Sequence, residues 1–509
     1  MVTNIRKEFT LSEVEGSLAS AKEKKDTTER AKPGAPIQFD GIQDRIVRLT
    51  PNSSDLGDAI LSKDGESLYY LATFEKGNDL WKMDLRKKET KLISKGAGSG
   101  FLTTDATGKT IFMLGSSGMK KLEADKFTPI TYTAELTIDH ASEREYMYNY
   151  MAREAKQRCF REDMNGCDWD AVVKNYSKFL PHINNNHDFA ELLSEALGEL
   201  NVSHSGGRHR PPSNSIPTAS LGLLFDMTYT GAGLKVEEVL KDGPFDHANI
   251  KVSQGDIITH INGIEITNEA DISQLLAGLS GKKTLVSIKG KDDLVVLPIT
   301  KTEHSTLLYK RWIRQRADDV KRWSHGRIGY VHIESMDDGS FRPIYSDIFG
   351  KYNNCHAIIV DTRFNGGGRM HEDIEVLLSG KKYLTQVVRG NVSGQMPSRR
   401  WNKPSCMLVC ESNYSNAHGT PWVYSHQKLG KVIGAPVPGT MSSVNWITMQ
   451  DNTLIFGIPV IGYRTAEGNY LENTQLEPDI LVLNSPETIV TGQDTQLRTA
   501  VEELLKQIK

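Results

Sequence analysis

Three short segments of this 509-residue sequence carry residue types and spacings that can do chemistry. In the first, the apolar strand Met407-Leu408-Val409-Cys410-Glu411 runs into Ser412-Asn413-Tyr414-Ser415-Asn416-Ala417-His418-Gly419. Ser415 then stands at a strand-to-helix transition, exposed beside the next residue's N–H and a helix N-terminus, as a nucleophile requires. The same position suits a helix cap opening at Asn416 or Ala417, and local sequence leans to the cap. In the second segment, a strand over 356–360 delivers Asp361-Thr362-Arg363-Phe364-Asn365-Gly366-Gly367-Gly368. Glycines there let backbone N–H groups approach a ligand, so the loop can bind phosphate or stabilise an oxyanion, or simply turn tightly through positive φ. It is not a GxxxxGK[ST] loop, because Arg369-Met370 follows. The third is Asn201-Val202-Ser203-His204-Ser205-Gly206-Gly207, a polar, glycine-terminated end that exposes Ser203 and His204 near a domain edge. In isolation that pair reads more readily as an ordinary loop end than as a catalytic dyad.

Positioning these segments takes a multidomain α/β chain. Residues 1–41 are rich in Lys, Glu, Ser and Thr, break at Pro33 and Pro36, and read as an arm or linker. Residues 42–132 hold a weak repeat in which Gly65 is echoed 43 positions later by Gly108, the period of four-stranded propeller blades. Two blades cannot close a ring, so the chain reads as the C-terminal piece of something longer; a pair of consecutive hairpins is the plainer alternative. Over 133–212 the period changes to 3.6, with helices at 140–160, 169–179 and 189–200. Residues 213–303 alternate strands and turns around Gly255-Asp256-Ile257-Ile258-Thr259-His260-Ile261-Asn262-Gly263. Residues 304–509 alternate buried strands (327–333, 356–361, 406–410, 431–434 and 458–463) with helices at 341–351 and 421–428, an α/β sandwich closed by a largely helical 487–509.

Composition narrows the function classes. Lys+Arg 61 against Asp+Glu 64 leaves a net charge of -3, without the basic excess that would make nucleic acid a main partner. Apolar runs such as 294–299 are too short to span a bilayer, and the charged N-terminus has no secretory h-region. The five cysteines form neither a disulfide framework nor a zinc cluster, which fits a reducing compartment. There is no HExxH and no Glu between His204 and His209, so neither metal nor cofactor is expected.

The segment around Gly255 to Gly263 resembles the core hairpin of a PDZ domain, with Leu221-Gly222-Leu223-Leu224-Phe225 as its carboxylate-binding loop, able to capture a peptide end or merely to brace its neighbours. Taken in order, the blades, Cys167-Asp168-Trp169-Asp170, Ser203-His204, the PDZ-like module, the glycine loop, Ser415 and Glu472-Asn473-Thr474-Gln475-Leu476-Glu477-Pro478-Asp479 resemble the C-terminal half of the tricorn protease family. The resemblance implies a serine peptidase tetrad: Ser415 attacks the peptide carbonyl, His204 is the general base, and Ser203 and Glu472 orient and polarise the imidazole. It implies an oxyanion hole from the N–H of Asn416 and one from the glycine loop, Gly367 with Gly368 as the neighbouring choice. It also implies peptide substrates, a homo-oligomer (a hexamer) and a cytoplasmic location, periplasmic if a longer parent carries a signal. Where archaeal tricorn has an Asp after the nucleophile, this chain has Asn416, a position whose role falls to the backbone. The stretch 395–401 offers Arg399 and Arg400 instead of an acidic specificity residue, against a trypsin-like preference. The carboxy-terminal processing proteases resemble the same layout but use a lysine, which Pro436-Val437-Pro438-Gly439-Thr440-Met441 lacks. His209, His371 and His418 are the competing bases. The alternative function is a PDZ-bearing peptide-binding scaffold whose peptidase core is inert.

Overall fold

A computed structural model describes residues 38–508 except 52, 74–76, 116–117, 124 and 214. The arm expected over 1–41 lies outside the described residues apart from its last four. The chain divides into two units, 1–137 and 138–509.

In the first unit, strands Asp55–Leu61, Ser67–Thr73, Asp79–Asp84 and Glu89–Ser94 form one antiparallel meander, and Gly100–Thr104, Ile111–Gly115, Gly118–Glu123 and Lys126–Ile130 a second. The 43-residue echo is a repeat of turn geometry. Gly65 donates to the Ser62 carbonyl at 2.8 Å and Gly108 to the Asp105 carbonyl at 2.9 Å, with φ of 71° and 70°, a conformation in which glycine carries no Cβ penalty. Tyr69, Leu71 and Leu80 of the first meander pack with Leu102, Ile111 and Met113 of the second. No closed ring of sheets forms among the described residues.

The second unit opens with helices α1 (His140–Arg158), α2 (Trp169–Ser177) and α3 (Asn186–Gly198), each started by a side chain that accepts from a first-turn N–H: Asp139, Asp168 and Asn185. After α3 the chain turns into the short strand β1 (Gly206–His209). A PDZ-like sheet follows, Leu223–Phe225, Leu234–Val239, Ile257–Ile261, Thr284–Ile288 and Leu294–Val296 pairing antiparallel in that order. Its Asn262-Gly263 turn has φ of 50° and 79°, as a tight hairpin needs.

The remainder is built on β2 (Ile328–His332), β3 (Ala357–Asp361), β4 (Ser405–Val409), β5 (Lys431–Gly434) and β8 (Ile480–Leu481), parallel neighbours in that order, with β6 (Ser442–Thr448) and β7 (Leu454–Gly462) between β5 and β8 in sequence. β2, β3 and β4 are buried along their whole length, which is why they read as continuous apolar runs instead of alternating ones. Helices α4 (Lys301–Trp323) and α8 (Thr495–Gln507) cover one face through Val320, Leu497 and Leu504. Helices α5 (Asp338–Phe349), α6 (His371–Leu378) and α7 (Asn416–His426) cover the other through Ile344, Ile374 and Ala417.

Three expectations need correction. The strand expected at 458–463 as part of the sandwich belongs to β7, which pairs antiparallel with β6 and β1 in a separate sheet. Leu454, Phe456 and Ile458 close the core under α1 and α3. The C-terminal stretch is two helices, Pro486–Val490 and α8, broken at Gly492 with φ of 74°. The helix expected from Pro421 begins five residues earlier, at Asn416, with Pro421 inside its second turn.

Candidate active site

Strand β4 ends in a turn held by Asn413, whose Oδ1 accepts from the Cys410 N–H at 3.1 Å and whose Nδ2 donates to Thr362 Oγ1 and the Ala417 carbonyl. That turn delivers Ser415 at φ 59° and ψ −125°. A non-glycine residue in this region costs of order 1–3 kcal/mol and persists only where its surroundings hold it. Here its N–H donates to Thr440 Oγ1 at 2.9 Å, and the Tyr414 N–H donates to the Asn365 carbonyl at 3.1 Å. The Ser415 hydroxyl makes no cap hydrogen bond to α7, so the capping reading is set aside. The side chain is left half-buried and free to react.

Facing it, the loop after β3 is drawn tight by Asn365, which donates Nδ2 to the Ile333 carbonyl and accepts the Gly367 N–H, both at 2.8 Å. Gly367, with φ of 101°, passes so close that a Cβ there would lie 2.5 Å from the Ser415 Cβ. Its N–H, expected to serve an oxyanion, is instead spent on Asn365. In this loop the N–H groups of the exposed Gly366 and Gly368 have no recorded acceptor among the described residues, and the Asn416 N–H at the head of α7 is likewise unclaimed.

Ser203 and His204 follow α3 and are half-buried rather than exposed at an edge. They form a relay with Glu472. The Ser203 N–H donates to Glu472 Oε1 at 2.6 Å, Ser203 Oγ lies 3.0 Å from Oε2, and the same Oγ lies 2.7 Å from His204 Nδ1. The Glu472 carboxylate therefore reaches the imidazole through a hydroxyl. Burial pushes the Glu472 carboxyl up, opposed by hydrogen bonds from Ser203 and Ser442. Burial also pushes His204 down to about 4, because a charged imidazolium loses its hydration there. His204 is thus a neutral base at ordinary pH.

Two tethers bring this relay to the turn that carries Ser415. The His204 N–H donates to Tyr414 Oη at 2.8 Å, and Ser442, two residues beyond Thr440, touches His204 Nδ1 at 3.2 Å and Ser203 Oγ at 3.1 Å. These contacts link all four expected site residues into one cluster. The contact between His204 and Ser415 Oγ is not closed at hydrogen-bond distance among the described residues, a common state of unliganded catalytic pairs. The competing histidines are otherwise engaged or sequestered. His371 Nδ1 accepts from Asn416 Nδ2 at 2.8 Å, His418 is wholly buried, and His209 stacks edge-on against His187.

Chemically, a strained serine hydroxyl flanked by two free N–H donors and a neutral imidazole backed by a carboxylate is suited to acyl transfer. The comparisons with known proteins agree. "Peptidase family S41" matches residues 327–482, "Tricorn protease C1 domain" 140–198 and "PDZ domain" 235–289. The "Putative Tricorn-like protease C-terminal subunit" of Sulfurisphaera tokodaii is 24% identical over 93% of this chain and 58% of its own. The "Tricorn protease" of Thermoplasma volcanium is 24% identical over 87% of this chain and 44% of its own. A crystal structure of the tricorn protease superposes with a TM-score of 0.73 at 18% identity, covering 87% of this chain and 46% of that one.

Over most of its length the chain is similar to tricorn proteases. It spans about half the length of the curated tricorn relatives it matches. No helix among the described residues is long and apolar enough to cross a membrane.

Sequence reasoning missed several supporting residues of this candidate site. The Asn416 side chain is engaged in the structure. Its Oδ1 accepts from the N–H groups of Met370 and His371 at 2.9 and 3.1 Å, capping α6, whose own N-cap residue has no side-chain bond. Tyr414, Thr440 and Ser442 carry no local signal. The closest clue is that Thr440 and Ser442 sit at and just past the stretch where the processing proteases place their lysine.

Proposed function

We propose that this chain hydrolyses peptides or oligopeptides as a tricorn-type serine peptidase. His204 removes the Ser415 proton through Nε2 while Nδ1 keeps its hydrogen and donates to Ser203 Oγ, whose own hydrogen points to Glu472. Ser415 Oγ adds to the peptide carbonyl, the oxyanion is received by the N–H groups of Asn416 and Gly368, and the imidazolium returns its proton to the leaving amine. Water then repeats the sequence on the acyl-serine. The observation that carries this reading is the uncapped, positive-φ Ser415 between two unclaimed N–H donors, tethered through Tyr414 and Thr440 to the strand and loop that hold His204.

The same reading takes 42–132 as two propeller blades, 133–212 as a helical domain carrying Ser203 and His204, 213–303 as a PDZ-like domain and 304–509 as the peptidase core. It takes the compartment to be the cytoplasm, supported by five free cysteines. It takes the assembly to be a homo-oligomer, the hexamer the family resemblance implies. The hairpin Leu384–Val388 and Asn391–Met396, with Leu384, Val387, Val388 and Val392 exposed, is surface that a second copy would cover, since a lone two-stranded ribbon is marginal in water. The test is turnover of an unstructured peptide mixture followed by mass spectrometry, with Ser415→Ala in parallel. Fragments that accumulate only with the parent chain support the peptidase. Peptides bound but left intact by both would move the PDZ-bearing scaffold ahead.

A further inference from the structure

The relay behind His204 contains two hydroxyls. Ser442 opens β6 with only 2% of its surface exposed, and its Oγ lies 3.1 Å from Ser203 Oγ and 3.2 Å from His204 Nδ1. Its hydroxyl also faces the Glu472 carboxyl and opposes the upward push of burial on it. Ser203 makes the same contacts at 2.7 Å to Nδ1 and 3.0 Å to the carboxylate. Each hydroxyl is therefore placed to accept from the imidazole and donate to the carboxylate.

Resting on the peptidase reading above, we propose that Ser442 is a fifth, positioning residue of the site, a second hydroxyl bridge between His204 and Glu472 whose role overlaps that of Ser203. Proton bookkeeping leads to this assignment. If Nε2 is to take the Ser415 proton, Nδ1 carries the only ring hydrogen, and one hydrogen can be shared between two acceptors. Ser203 Oγ and Ser442 Oγ are those acceptors, and both of their hydrogens are then free to point at Glu472. When the ring becomes imidazolium, two oriented O–H dipoles and the carboxylate behind them face the new charge in a partly desolvated site, where such interactions are stronger than in bulk water. No carboxylate oxygen bonds the ring directly among the described residues, so the hydroxyls are the sole hydrogen-bonded link from Nδ1 to Glu472. The titratable groups facing His204 are Glu472, through these hydroxyls, and Tyr414, whose ring lies 4.7 Å away.

Overlap has a distinctive consequence. Removing either hydroxyl leaves one bridge, whereas removing both cuts the carboxylate off. Ser442→Ala should slow Ser415 acylation about tenfold, the loss expected for about 1.4 kcal/mol. Ser203→Ala/Ser442→Ala should lose more than the product of the two single effects, the non-additivity of groups sharing one network. Ser442→Thr keeps the hydroxyl and should restore most of the rate. A packing role would not move the pH dependence, but loss of a hydroxyl that stabilises the imidazolium should shift the acid limb to lower pH.

The experiment measures fluorophosphonate labelling rates against pH on the full chain and these variants, with Ser415→Ala as the zero. Slower labelling in Ser442→Ala, rescue by Ser442→Thr, a lowered acid limb and a more-than-multiplicative double variant support the assignment. Ser415-dependent labelling that Ser442→Ala leaves within twofold, alone and in the Ser203→Ala background, overturns the role of Ser442 while sparing the peptidase reading. Labelling that is absent, or present without Ser415, overturns both.

Discussion

His204 and Tyr414 are joined twice. The backbone N–H of His204 donates to the Tyr414 phenol oxygen at 2.8 Å, and the two rings lie 4.7 Å apart at an interplanar angle of 44°. Tyr414 is the residue before Ser415, so this pairing fixes the candidate base to the turn that carries Ser415 across 210 positions of sequence. Tyr414→Phe removes the hydrogen bond and keeps the ring. The expected cost is about 1 kcal/mol, a roughly fivefold fall in kcat/KM with little change in Tm. Tyr414→Ala, which also frees the imidazole's flank, should lose more. Steady-state kinetics with thermal melts separates the two.

Neighbouring glycines in the loop after β3 should behave oppositely. A Cβ on Gly366 meets nothing within 4 Å, whereas one on Gly367 would press 2.5 Å from the Ser415 Cβ at a backbone φ of 101°. Gly366→Ala should fold and act nearly as the parent. Gly367→Ala should displace the elbow, abolish Ser415 reactivity and lower stability by about 2 kcal/mol, within the range for strain and overpacking. Equal behaviour of the two variants would mean that the loop does not lie against the nucleophile.

The pH dependence follows from the buried imidazole. His204 must be neutral to accept a proton, and burial holds it at about 4, below the ordinary histidine value of 6.5. Activity should be lost as pH falls through about 4 and be level from about pH 5 upward. Stability moves in the same direction. The folded state binds this proton less readily than the unfolded chain, so between about 6.5 and 4 each unit of acidification costs the fold up to about 1.4 kcal/mol from this group. A pH profile of kcat/KM that bends near 6.5 would indicate a solvated histidine and contradict the relay.

Behind the glycine loop, Arg363 is almost wholly buried between Asp361 and Asp494, at 2.7 and 2.9 Å. Arg363→Met should destabilise by about 3–5 kcal/mol, because it strands two buried carboxylates. Pairing it with Asp494→Asn should recover part of that loss. Denaturant unfolding of the three variants measures this; purely additive effects would show that the charges are not coupled.

Legibility in the sequence followed locality. Strands β3, β4 and β5 were readable because buried parallel strands are short, continuous apolar runs. The strand at Leu454–Gly462 was readable as a strand, but its partners were not, since β1 lies some 250 residues earlier. Helix α4 passed unnoticed because only Leu307 and Val320 are fully buried among its 23 residues, although Thr300 and Glu303 form a readable capping box. At Ser415, cap and nucleophile present the same residue at the same kind of boundary, and only the backbone at φ 59° separates them. Ser442 is one serine in an unremarkable strand start; its meaning comes from a contact 239 residues away.

The most direct measurement is the site of covalent modification by a fluorophosphonate probe on the full chain, read by peptide mass spectrometry with Ser415→Ala and His204→Ala alongside. The expected result is a single adduct on Ser415, absent from the first variant and strongly slowed in the second. Folded protein that takes up no probe, or labelling at Ser415 that is indifferent to the loss of His204, would contradict the catalytic relay.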